Sequence, residues 1–285
     1  MANTSQELSF TGVLDRGLAI MELLAGSADG LALSDISDEL RIPRSATHRL
    51  LTSLSGHGYV RQEEERGTYV LTSRLQVLAF RHLSASGFVD AVQPVINRLA
   101  MDTGELVRLA VADNGQLTWV ARAQGARSGL RYDPDMGMDA KLSCSATGYA
   151  WLSCMSDQEV LALVEAQGLG SPDEFGPAAP QTCADVLERV ELARRRGYAV
   201  AVQTFTDWMS AMAAPLVHPV SEKAIGVVSV AGPVSRLTEA RLHEYAPLLL
   251  EAVAEISQLI PGSPSLMNPA MAAFSARQGL VSQPL

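Results

Sequence analysis

Between Leu40 and Gln62 the chain carries four arginines, Arg41, Arg44, Arg49 and Arg61, and neither aspartate nor glutamate. The same stretch, IPRSATHRLLTSLSGHGYV at its centre, adds hydroxyls and imidazoles at Ser45, Thr47, His48, Thr52 and His57. Guanidinium forks and hydroxyl donors without a competing carboxylate suit one chemistry, contact with phosphates and with base edges in a DNA groove. The whole chain has 285 residues and a net charge of -9, so this segment opposes the average. An acidic protein is a poor nonspecific coat for nucleic acid, which leaves a localised contact as the expectation.

Other reactive side chains are dispersed. Cys144, Cys154 and Cys183 have neither disulfide nor zinc spacing, and His48, His57, His82, His218 and His243 stand far apart. The common signatures of a nucleophile elbow, a phosphate loop, a dinucleotide fingerprint and a zinc protease are absent from the sequence. No cofactor and no metal is expected. The alternatives that stay open are a hydrolase using Cys144 or Cys154 with His218, and a protein-binding sensor whose winged helix does not touch DNA.

Elements must hold the basic segment in place. Leu14, Leu18 and Met21 recur at helical spacing, which predicts a helix over Val13 to Leu24. Ser34 before DISDEL predicts a short capped helix ending near Leu40. Pro43 opens a third helix that Gly56 and Gly58 stop. On that third helix Ala46, Leu50, Ser53 and Leu54 share the inward face, and Arg44, Ser45, His48, Arg49, Thr52 and Ser55 the outward one. YVRQ and TYVLT then flank EEERG as a hairpin. Three helices and a hairpin make a winged helix-turn-helix. The candidate DNA contacts are Arg44, Ser45, Thr47, His48, Arg49 and Thr52, with Arg61 and Arg66 in the wing.

Helical periodicity over Leu75 to Asp102, broken at SASG, predicts a linker helix and a second helix. Leu75, Leu78, Ala79 and Leu83 repeat along the linker, where a partner helix would pack. ELVRLAVADNGQLTWVARA predicts a hairpin about Asn114 and Gly115. Helices over SATGYAWLSCM, SDQEVLALVEAQG and CADVLERVELARRRG, strands over YAVAVQ, MSAMAAPLV and AIGVVSVAG, and a last helix over Glu239 to Leu259 complete an α+β chain. The expected division is 12–73 for the DNA-binding domain, 74–87 for the linker, 88–260 for the second domain and 261–285 for a flexible tail. No apolar run reaches the roughly 18 residues of a membrane span, and the first ten lack signal-peptide character, so a cytoplasmic protein without membrane contact is expected.

The order IPRSATHRLL, GYV, RRRGYAV, AAPL and GVVSVAGP resembles IclR-type transcriptional regulators over roughly Gly12 to Ile260. The resemblance implies a winged helix-turn-helix, a dimerising helical linker and a GAF/PAS-like effector-binding domain. It also implies a double-stranded, pseudo-palindromic DNA operator and a homodimer or tetramer as the assembly. In that family a small carboxylate effector is held where a helix begins, which here is CSATG. That assigns Ser145, Ala146, Thr147 and Gly148 to the site, a helix start being able to bind an anion through free amides without a cation. Ala201, Ala211 and Ala231 stand where relatives are more polar, Tyr149 replaces a common lysine, and Ser229 is retained. With Trp208 as a further lining residue, and Phe205, Met209 and Met212 nearby, the effector expected is an aromatic or otherwise apolar carboxylate rather than a short keto acid. Repression and activation are not distinguished by the sequence.

Overall fold

The structure, a computed structural model, describes residues 12–113, 115–132, 140–170, 174–219 and 222–259, without the side chains of 80, 82–86 and 113. The expected tail from 261 onward and the Asn114 turn residue lie outside these. The chain divides into two compact units between Leu83 and Ser84.

In the first unit, α1 (Val13–Ala25), α2 (Leu33–Glu39) and α3 (Arg44–Gly56) precede the antiparallel strands β1 (Val60–Gln62) and β2 (Tyr69–Leu71). Ile20 and Leu24 of α1, Ile36, Leu51, Val60 and Tyr69 meet in one core. The loop into α2 runs close to the wing: Leu31 pairs with Tyr69, and a Cβ on Gly30, whose φ is 73°, would lie 2.6 Å from the Tyr69 carbonyl oxygen. Two local expectations change. The residue capping α2 is Ala32, and the Ser34 hydroxyl donates instead to the Asp35 carboxylate. The buried stripe of α3 centres on Thr47 and Leu51, with Ser53 exposed, because this helix packs against α1, α2 and β1 together.

Helix α4 (Arg74–Ser86) crosses the division and ends before Gly87, whose φ of 62° makes the turn into α5 (Phe88–Thr103). The second unit adds β3 (Leu106–Asp113), β4 (Gln116–Gln124), α6 (Ala146–Leu152), α7 (Asp157–Gln167), α8 (Cys183–Arg196), β5 (Ala199–Val202), β6 (Met209–Val217), β7 (Ala224–Pro233) and α9 (Glu239–Leu259). Its five strands form an antiparallel sheet in the order β4-β3-β7-β6-β5. Alternation along each strand feeds two cores. One face carries Val107, Leu109, Met212 and Val228 against α5 and α9. The other carries Leu106, Ala110, Ala211, Ala213 and Ala231 towards α6, α7 and α8.

That second face is unusually rich in alanine. Short side chains let α6 approach while leaving unfilled space beside it. Helix α6 is anchored at its start by Gly148, whose added Cβ would stand 2.4 Å from the Leu142 carbonyl oxygen. Backbone cannot yield there, so Gly148→Ala should destabilise the protein by about 1–3 kcal/mol through overpacking. Gly17, inside α1 with nothing near its missing Cβ, should show the opposite sign, Gly17→Ala stabilising by about 0.5–1 kcal/mol. Urea unfolding of the two variants checks the pair.

Candidate functional site

Helix α3 is held at its entry by hydroxyls. The Ser37 hydroxyl donates to the Ile42 carbonyl at 2.7 Å, and Thr47 Oγ1 approaches the same carbonyl at 3.4 Å and that of Pro43 at 3.3 Å. Thr47 is 0% exposed, so its expected role at DNA is corrected: it fastens the turn between α2 and α3 and cannot reach a groove. Arg44, Ser45, His48, Arg49 and Thr52 are all exposed on the outward face. The Thr52 hydroxyl donates to the His48 carbonyl. Arg49 has no ion-pair partner among the described residues. Arg44 lies 4.0 Å from Asp38, Arg61 3.0 Å from Glu63 and Arg66 3.6 Å from Asp29, all largely in solvent. Such exposed pairs hold their arginines by only about 0–1 kcal/mol, so a phosphate can replace the acid.

The second unit has a pocket, part of it open to solvent, on the alanine-rich face of the sheet. The expected residues Ser145, Ala146 and Thr147 from α6 line it, as do Ala201, Ala211, Ser229 and Ala231 from the sheet. Two expected residues do not. Gly148 is the close-approach residue described above, and its amide is taken by the Ser145 hydroxyl at 3.0 Å. Trp208, 38% exposed, packs edge-on against Tyr132 at 5.6 Å, behind the lining. Met212 faces the opposite core, whereas Phe205 and Met209 reach the pocket.

The residues missed in the sequence carry its charge. Arg108 of β3 is only 9% exposed and lines the pocket with Trp119, Tyr132 and Lys141. Its guanidinium lies 3.7 Å over the Trp119 ring and 5.7 Å from that of Tyr132. Burial lowers the Arg108 pKa and raises that of the Tyr132 hydroxyl, each offset in part by the other. Lys141 is engaged elsewhere, donating to the Gln167 carbonyl at 3.1 Å. Alternation was the available signal: in ELVRLAVA, Arg108 falls between the inward positions Leu106 and Ala110. Beside the helix-start amides and Ser229 expected to face an anion, the pocket thus holds a buried cation that the expectation did not include.

A nucleophilic cysteine needs a lowered pKa. Burial pushes the Cys144 thiol up to about 12 and also raises Cys154. Both shifts run against the lowered pKa that the hydrolase alternative needs, and Cys144 is fully buried. Among the described residues no group of three or more His, Cys, Asp or Glu could hold a metal, and no helix is long and apolar enough to cross a membrane.

The α3 geometry separates fold from recognition. Thr47→Val should cost about 1 kcal/mol of stability through the lost hydroxyl contact and leave the salt dependence of DNA binding unchanged. Arg49→Ala should leave the melting temperature unchanged and weaken binding to duplex DNA, with a salt slope reduced by about 1 if the arginine meets a phosphate. Thermal unfolding and fluorescence anisotropy over a salt series measure both.

Residues 13–64 match the IclR helix-turn-helix domain, and residues 80–258 match the bacterial transcriptional regulator IclR C-terminal domain. The acetate operon repressor of Salmonella typhimurium (strain LT2) is 28% identical over 256 residues, covering 88% of this chain and 90% of the repressor. Two solved structures share the fold. An IclR transcriptional regulator from Alicyclobacillus acidocaldarius superposes with a TM-score of 0.76 at 18% identity, over 86% of this chain and 97% of that one. An IclR homologue from Microbacterium hydrocarbonoxydans, complexed with 4-hydroxybenzoate, gives 0.74 at 19% identity, over 88% and 100%. A helix-turn-helix followed by an α+β domain is thus what the fold and the two family matches have in common: the chain belongs to the IclR family of bacterial transcriptional regulators.

Proposed function

We propose that this regulator binds a pseudo-palindromic operator as a homodimer, or as a pair of dimers, and that a small organic carboxylate with an aromatic or apolar body changes its operator affinity. The observation that carries the effector half is the pocket itself: apolar walls from Ala201, Phe205, Met209, Ala211 and Ala231 around one buried cation, Arg108. Such a lining rewards a single negative charge on an apolar body and penalises further polar groups. The fold relative complexed with 4-hydroxybenzoate supports this class of ligand. The acetate operon repressor supports repression as the direction of control, and aromatic-acid breakdown is the process this effector class would serve.

Dimerisation follows from the short reach of one recognition helix, which reads only part of a site. Val77 and Leu78 on α4 are 46% and 53% exposed, and Val13, Leu14 and Leu18 line an apolar strip on α1. Of the repeat expected along the linker, Leu78 and Ala79 are exposed, Leu75 is half-buried and the Leu83 side chain lies outside the described residues.

Two measurements test the proposal. Anisotropy titration of DNA from upstream of the gene should show a shift in affinity of about five- to 150-fold on adding benzoates or phenylacetates. A response to glyoxylate or pyruvate with none to an aromatic acid would contradict the effector class. Sedimentation velocity should give a dimer or larger at micromolar concentration, and Leu78→Glu should move it towards monomer with loss of operator affinity. A monomer that keeps full affinity would contradict the assembly.

A further inference from the structure

Two side chains reach the pocket with buried polar atoms that nothing answers, and they are partners in the sheet. Arg108 of β3 lies directly opposite Ser229 of β7, which places their Cβ atoms about 4.5–5.5 Å apart on one face. Among the described residues Arg108 Nε and Ser229 Oγ are both buried without a hydrogen-bond partner, and Ser229 is only 2% exposed. Buried polar atoms are ordinarily paired, so two orphans side by side mark a place where a third group belongs.

Three other polar groups in and beside the pocket have partners of their own. Lys141 donates to the Gln167 carbonyl. The Ser145 hydroxyl accepts from the Gly148 amide and donates to the Lys141 carbonyl at 2.5 Å. Glu105, the acid nearest to Arg108 along the strand, is held by Arg236 through two contacts of 2.7 and 2.8 Å. Among the described residues no carboxylate acts on the Arg108 charge, and the group that does is the Tyr132 hydroxyl.

We propose that Arg108 and Ser229 form a clamp for the carboxylate of an aromatic monocarboxylic acid, Arg108 donating through Nε and Ser229 through its hydroxyl. The proposal rests on the effector reading above and moves the ligand's charge from the start of α6 to the centre of the sheet. Contact of the guanidinium carbon with the Trp119 ring at 3.7 Å supplies no hydrogen-bond acceptor, so the Nε–H is left for a carboxylate. One guanidinium balances one negative charge. A second carboxylate against the methyl groups of Ala201, Ala211 and Ala231 would stay unpaired there, which disfavours diacids along that wall.

Calorimetry of the full-length protein with benzoate, 4-hydroxybenzoate and phenylacetate, each beside its uncharged carboxamide, tests the clamp. The wild type should bind at least one acid about ten- to 100-fold more tightly than its amide, the range of hydrogen bonds to a charged group. Arg108→Gln should erase that preference while melting no lower than the wild type, because an unanswered buried charge has been removed. Arg108→Lys should not restore it, an ammonium lacking the planar fork. Ser229→Ala should weaken the acid about two- to tenfold. Acid binding by Arg108→Gln at wild-type affinity overturns the clamp and leaves the effector reading standing. A wild type that binds operator DNA but none of the acids overturns that reading and the clamp with it. If Arg108→Gln fails to fold, Ser229→Ala decides: unchanged acid affinity overturns the clamp, and a loss confined to the acid supports it.

Discussion

Arginine keeps its proton wherever a protein folds, so a guanidinium placed on the inner face of a sheet must find something to answer its charge. In the second unit the surroundings of Arg108 follow from that requirement. Trp119 offers a π-face at 3.7 Å, and Tyr132 stands at 5.7 Å. Glu105, just before the strand begins, is turned to Arg236. Cation–π contact offsets part of the desolvation but supplies no acceptor for an N–H. A pocket bounded by alanines is left over the orphan donor. The alanines have a second consequence, since they let α6 sit close to the sheet with Gly148 pressed on the Leu142 backbone. Pocket and helix placement are therefore two results of the same small side chains.

The first unit solves the opposite problem, keeping charge outside. Ser37 and Thr47 satisfy the carbonyls of Ile42 and Pro43 at the turn before α3, so the backbone there is fixed without any charged group. The outward face is then free to carry Arg44, His48 and Arg49 without a role in the core. A charge-free fastening beneath a charged surface keeps the turn independent of the outward side chains. The wing is more ambivalent: Arg61 and Arg66 lie beside acids, which tempers their pull on phosphate.

Much of this was legible from residue order. Helices α1 and α3, the hairpins, the break at Gly87 and α9 follow from apolar spacing, glycine and proline, all local signals. The outward arginines could be read for the same reason, since one helix fixes their face. What escaped depended on contacts between distant segments. Thr47 looks like a donor for DNA until the Ile42 carbonyl is placed over it. Gly148 and Trp208 look like pocket residues until the Leu142 backbone and Tyr132 are placed beside them. One arginine in an apolar strand reads as a solvent-facing position, and only the cores on either side of the sheet show that both faces of β3 are covered. The opposition of Arg108 to Ser229 spans more than a hundred residues of sequence and becomes visible only in the sheet register.

The central claim is that an arginine in the sheet, rather than a helix start, holds the effector's charge. Nitrogen-15 correlation spectra of the arginine Nε–H groups test it most directly, with Arg108 assigned by its absence from the Arg108→Gln spectrum. On titration with an aromatic monocarboxylate that binds, the Arg108 Nε–H signal should move to the position of a charge-assisted hydrogen bond and become protected from solvent exchange, and the matching carboxamide should leave it in place. A bound acid that leaves the Arg108 signal unmoved would contradict the account.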